Sequence, residues 1–122
     1  MDTNKFTGQE GKFISSESAA RLTGRFHEKK KKEGEKPGSY VEAQFYGNKQ
    51  LQKLMEKEGC VGLRFYRGVS EDQELNDQIV VVAVNADGKD LTHTRIGLKD
   101  MPGGEEDDAL ADGPRCPHDC NP

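Results

Sequence analysis

An α+β fold is what this sequence predicts, and three observations carry the prediction. Gln78-Ile-Val-Val-Val-Ala-Val84 is a continuous apolar run of strand length, the pattern of a strand covered on both faces. Val61, Leu63 and Phe65 alternate with Gly62, Arg64 and Tyr66, the period of two expected from a half-buried strand. Ala19, Leu22 and Phe26, and later Leu51, Leu54 and Met55, recur at the three- and four-residue spacings of a helix with one apolar face. The connection over 68–77 is about ten residues, whereas parallel neighbours need a crossover of a dozen or more. Val61–Tyr66 is therefore expected to run antiparallel beside Ile79–Val84. The expected architecture is a small three- to four-stranded, mostly antiparallel sheet with two helices on one face and flexible termini. In domain terms it comprises a flexible arm over 1–14, a single α+β domain over 15–100 and an acidic, cysteine-ended tail over 101–122.

Each element has its own signals. Ser15 and Ser16 are N-cap residues for a helix reaching about Lys32, with Glu17 in its first turn. Lys29 to Lys32 suit its C-terminus, and Gly34 and Pro37 end it. Tyr40 to Tyr46 alternates like a strand, and Gly47-Asn48 turns the chain into a second helix over about 49–58, closed by Gly59. Asn85-Ala-Asp-Gly88 is a turn, since Asn and Asp tolerate left-handed dihedrals and Gly favours them. Leu91 to Leu98 can return as a short strand. From Met101 the chain offers few apolar residues beyond Ala109, Leu110 and Ala111, so order is expected to fail there.

The chain has 122 residues, 32% of them hydrophobic and 33% charged, which leaves room for one modest core. A net charge of −4 argues against nucleic acid as the main partner. No apolar run approaches the ~20 residues that span a bilayer, and Met-Asp-Thr-Asn-Lys-Phe lacks the apolar segment of a secretory signal. The expectation is a cytoplasmic protein without membrane partners, with non-classical export left open. Charge is unevenly distributed. Arg21 to Lys36 has seven bases against three acids, and Lys99 to Pro122 has seven acids against two bases. A salt-sensitive attraction between basic helix and acidic tail follows.

The residues that look built for chemistry are the last seven, Cys116-Pro-His118-Asp-Cys120-Asn-Pro122. Cys116 and Cys120 can close a small disulfide ring, tie one subunit to another, or hold a metal together with His118. Structural zinc sites take four ligands, commonly from two clusters, and here there is one Cys-x₃-Cys. Thioredoxin-type redox motifs have two residues between their cysteines and sit at a helix start, and here there are three in a terminal segment. Cys60, at the entry to a buried strand, suits the role of a small hydrophobe. His27 and His93 have no spacing that builds a catalytic pair. Asn85-Ala-Asp87-Gly88-Lys-Asp90 carries oxygen ligands but places its Gly and acids off the EF-hand pattern. No phosphate loop, dinucleotide fingerprint or nucleophile elbow is present, so no cofactor and no enzymatic activity are expected.

Phe45-Tyr46-Gly47, Gly59-Cys-Val-Gly-Leu-Arg-Phe-Tyr66, Val80-Val-Val-Ala-Val-Asn-Ala-Asp-Gly88 and a terminal cysteine pair whose first member precedes Pro117 resemble a family of small bacterial proteins with no assigned activity. The resemblance covers about half the chain and implies organisation alone. The functional expectation is a non-enzymatic interaction or structural protein, self-assembling or bound to a protein partner, that uses its first helix and C-terminal tail as contact elements. The alternative is a thiol-redox or zinc protein working through Cys116, His118 and Cys120.

Overall fold

The structure, a computed structural model of the chain, describes residues 5–71, 77–93 and 108–116. Its elements follow in the order α1 (Ser16–Lys32), β1 (Ala43–Gln44), α2 (Asn48–Met55), β2 (Cys60–Val69), β3 (Asp77–Asn85) and β4 (Arg115–Cys116). The fold is α+β, with two helices and four strands among the described residues.

The long apolar run becomes the centre, as its composition requires. β2 and β3 pair antiparallel from Cys60 opposite Asn85 to Val69 opposite Asp77, with a bulge between Cys60 and Gly62. Val81, Val82, Ala83 and Val84 are all buried. Along the far edge of β3, Val81 exchanges two backbone hydrogen bonds with Leu110, each 2.9 Å, and Ala83 accepts one from Leu91 at 2.8 Å. Leu54 of α2 packs on Val81 and Ala83, with Leu51, Leu63 and Ile79 around them. Full burial of each such aliphatic side chain contributes about 1.5–3 kcal/mol. The Asn85–Gly88 turn forms as its residues dictate: Asn85 Oδ1 accepts from the Asp87 and Lys89 amides, and Gly88 has φ 85°.

Four details differ from expectation. The strands form two two-stranded antiparallel sheets, β1–β4 and β2–β3, rather than one. The reason is that Gln44 and Tyr46 meet β3 through side chains: Gln44 Oε1 accepts from the Ile79 amide and the Tyr46 hydroxyl donates to the Ile79 carbonyl. The backbone of β1 is thereby left to pair with β4. The strand expected over Tyr40–Tyr46 shrinks to Ala43–Gln44, because Tyr40 turns toward α1. α2 stops at Met55, ahead of expectation, and Gly59 at φ 86° instead shapes the turn into β2. Finally, residues 108–116, expected in a tail where order fails, are part of the fold through Leu110 and β4. Their few apolar and polar groups suffice because β3 offers them an unpaired edge. In the same way part of the N-terminal arm docks, with the Phe6 amide bonded to the Ala86 carbonyl. Of the segment expected as a strand over Leu91–Leu98, residues 94–98 lie outside the described residues, as do 101–107 and 117–122 of the tail.

Candidate functional site

α1 is a 17-residue helix with no buried residue. Its ends follow the sequence: Ser15 Oγ accepts from the Ser18 amide at the N-terminus, and Lys29 to Lys32 occupy the last turn. Gly34, at φ 86°, then reverses the chain so that Tyr40 returns against the helix. Tyr40 is 5% exposed, with its ring edge-on to Phe26 at 5.8 Å between centroids. Its hydroxyl meets His27 Nδ1 at 2.5 Å, and His27 Nε2 lies 3.6 Å from Glu42 Oε1. Lys30 lies over the Phe26 and Tyr40 rings and pairs with Glu35 at 3.1 Å. The Lys30 ammonium is held above its ordinary range, first by that bond to Glu35. Burial raises the Tyr40 phenol.

The cluster separates two hollows. One, of about 320 Å³, is a groove between Leu22, Phe26 and His27 of α1 and Ala43, Arg67 and Ile79. The other, of about 630 Å³, is bordered by His27, Lys31, Lys36, Pro37 and Tyr40. Chemically, a neutral His27 that accepts the Tyr40 proton at Nδ1 carries its own proton on Nε2, toward Glu42. That arrangement fastens α1 to the 40–42 segment.

β4 brings the cysteine end of the chain to the same place. Cys116 lies opposite Ala43, and its carbonyl accepts from the Glu42 amide at 3.0 Å. Glu42 therefore touches α1 through its carboxylate and the C-terminal segment through its backbone. His118 and Cys120 lie outside the described residues. Among the described residues no group of three or more His, Cys, Asp or Glu side chains is arranged to hold a metal. Cys60 is a free thiol, half-buried against the core, with its Sγ 3.3 Å from the Gly62 carbonyl.

Sequence reading missed three polar clusters. Arg64 and Tyr66, on one face of β2, both reach Asp90, at 2.7 and 2.6 Å. Buried Asp108 accepts from the His93 amide at 2.7 Å, meets its ring at 2.8 Å, and lies 3.6 Å from Lys57. Buried Arg115 donates from Nε to the Asp77 carbonyl and from Nη2 to Ser70 Oγ. For the first, the alternation of Arg64 and Tyr66 was a usable signal. The other two join positions far apart in sequence, and no local pattern announces them.

No helix among the described residues is long and apolar enough to cross a membrane. No protein-family model, curated protein or solved structure matches the chain.

Proposed function

We propose that the protein is a small non-enzymatic interaction protein that associates with copies of itself through α1 and the C-terminal segment. One observation carries this reading: α1 spends 17 residues without burying one, and Leu22 on its apolar stripe is 55% exposed beside an open groove. A helix of that length normally gains its stability from a packed face. The occupant that the charges favour is the acidic segment of a second copy. The excess of base over Arg21–Lys36 is matched by Glu105, Glu106 and Asp107, acids of the opposite sign in the same sequence.

Sedimentation of the full chain at low and high salt tests this. Association that weakens with salt, and weakens further in Leu22→Glu, is the expected result. Leu22 is exposed, so the substitution leaves folding intact. A Leu22→Glu chain that associates like the parent would overturn the reading.

A second reading has its own support. Cys116 sits on a paired strand instead of a free tail, so a Cys116–Cys120 clasp, an intersubunit disulfide or a zinc site with His118 would start from a fixed point. Zinc content and free-thiol count of the purified chain separate this alternative from the first.

A further inference from the structure

The outer edge of β2 can be deduced bond by bond. In an antiparallel pair, residues facing each other either exchange backbone hydrogen bonds or both turn their N–H and C=O groups away. Val81 and Ala83 spend theirs on Leu110 and Leu91, on the side of β3 away from β2. Ile79 spends its own on Gln44 and Tyr46, and the Asp77 carbonyl accepts from Arg115. Their partners on β2 are Phe65, Leu63, Arg67 and Val69 respectively. These four residues accordingly point their backbone groups outward, and among the described residues nothing bonds to them.

Natural edge strands of this length are usually guarded by lysine, proline, a bulge or a covering segment. β2 has ten residues and no proline, its bulge lies at the Cys60 end, and Arg67 is the one charge among the four outward residues. The N-terminal arm reaches β2 at Val61, where Gly8 approaches the carbonyl, and at Arg64, whose guanidinium lies 5.8 Å from the Phe6 ring, but it makes no hydrogen bond to the four outward residues. Phe65 is 60% exposed and Val69 68% exposed.

We infer that β2 is a self-pairing edge: two copies join antiparallel about Phe65 into a continuous β3–β2–β2–β3 sheet. This register is self-complementary. Phe65 meets Phe65 and Leu63 meets Arg67, so outward-pointing backbone groups oppose one another, and Gly62 meets Gly68 at a couple whose backbone groups turn toward β3. Arg64 comes opposite Tyr66, and no arginine faces an arginine, the arrangement that would oppose pairing. Val69 falls beside the apolar Val61. A pairing shifted to centre on Arg67 would bring two guanidinium groups together. The ladder consists of backbone bonds and apolar contact, so it resists salt, unlike an association through α1. It does not rest on the α1 reading.

Hydrogen exchange of the full chain, read amide by amide, tests the inference. In the monomer Arg64, Tyr66 and Gly68 are protected by β3, while Leu63, Phe65, Arg67 and Val69 exchange freely. Raising the protein concentration should slow exchange at Leu63, Phe65 and Arg67 by about tenfold or more, at high salt as well as low. Phe65→Lys, which alters an exposed side chain and leaves the β2–β3 bonds in place, should abolish that gain and leave the melting temperature of the dilute chain unchanged. Free exchange at all concentrations would overturn the inference. So would protection independent of concentration, which would assign the edge to another segment of the same chain. A dimer whose odd-numbered β2 amides stay open would also overturn it, while leaving α1 as the contact.

Discussion

The β2–β3 sheet and the β1–β4 sheet are built from the same kind of pairing but held by different forces. β2–β3 pairs nine residue couples and buries four consecutive side chains of β3. β1–β4 pairs two couples, and its neighbourhood is held by polar side chains. Gln44 is the joint between them: its carbonyl oxygen accepts from Ile79 at 2.7 Å and its amide donates to the Gly113 carbonyl at 2.8 Å. The comparison separates two ways of ordering a chain. Apolar burial orders β3 whatever surrounds it, because its length and composition leave no alternative. The smaller sheet is ordered by hydrogen bonds that must each find a distant partner. Such bonds contribute about 0.5–1.5 kcal/mol each, and more is lost when a buried partner is left unsatisfied.

Val81→Asp should have the largest effect and breaks the comparison on the apolar side. Val81 has no exposed surface and bonds Leu110 through its backbone. An unpaired carboxylate there costs several kcal/mol against a total stability of roughly 5–15 kcal/mol. The expected outcome is a chain without a cooperative thermal transition. A soluble variant that melts with the parent would remove β3 from the core.

Gly113→Ala should come next, and it acts on the polar side. A methyl group at Gly113 would overlap the Phe45 carbonyl oxygen and press on the Tyr46 ring. Both neighbours are tied, Phe45 by its amide to the Pro114 carbonyl and Tyr46 by its hydroxyl to Ile79. Relieving the overlap should separate β4 from β1 at a cost of about 1–3 kcal/mol. Hydrogen exchange should speed up at Glu42 and Phe45, while the even-numbered amides of β2 stay protected. Equal loss of protection in both sheets would show that they unfold as one unit.

This contrast also explains what the sequence could and could not disclose. The antiparallel pairing of β2 with β3, the Asn85–Gly88 turn and the span of α1 were legible, because each rests on neighbours in sequence: alternation and a short connection, turn chemistry, capping. In sequence, residues 108–116 resemble the rest of the tail, because Ala109, Leu110 and Ala111 are too few to signal a strand. What orders Leu110 is the unpaired edge of Val81, a property of β3. The meeting of His27, Glu42 and Cys116 was invisible for the same reason, since β1–β4 pairing links positions more than seventy residues apart. Charge pattern marked α1 as a surface element, and periodicity suggested a buried stripe. The structure leaves Leu22 of that stripe exposed and Ala19 and Phe26 half-buried, because Tyr40, rather than the sheet, supplies the packing partner of Phe26.

Tyr66→Phe should give the smallest effect and sharpens the comparison, because it removes a polar tie from within the apolar sheet. Tyr66 pairs with Val80 on β3, and its hydroxyl donates to Asp90 Oδ2 beside the Arg64–Asp90 ion pair. Losing one such bond to a charged acceptor, with Arg64 still in place, should cost about 1–2 kcal/mol in denaturant unfolding near neutral pH. The bond to Asp90, and then partial burial, hold the Tyr66 phenol above its ordinary value. The folded state thus keeps this proton to higher pH than the unfolded chain does. The stabilisation is complete below the ordinary tyrosine value of about 10 and is lost as pH rises through the folded-state value above it. The stability difference between the parent and Tyr66→Phe should stay constant from neutral pH to about one unit below that ordinary value, then shrink. Tyr40 and Tyr46, also raised, remain in both chains, so their contributions cancel in the difference. A difference that persists unchanged at high pH would mean that the hydroxyl contributes through packing and not through its proton.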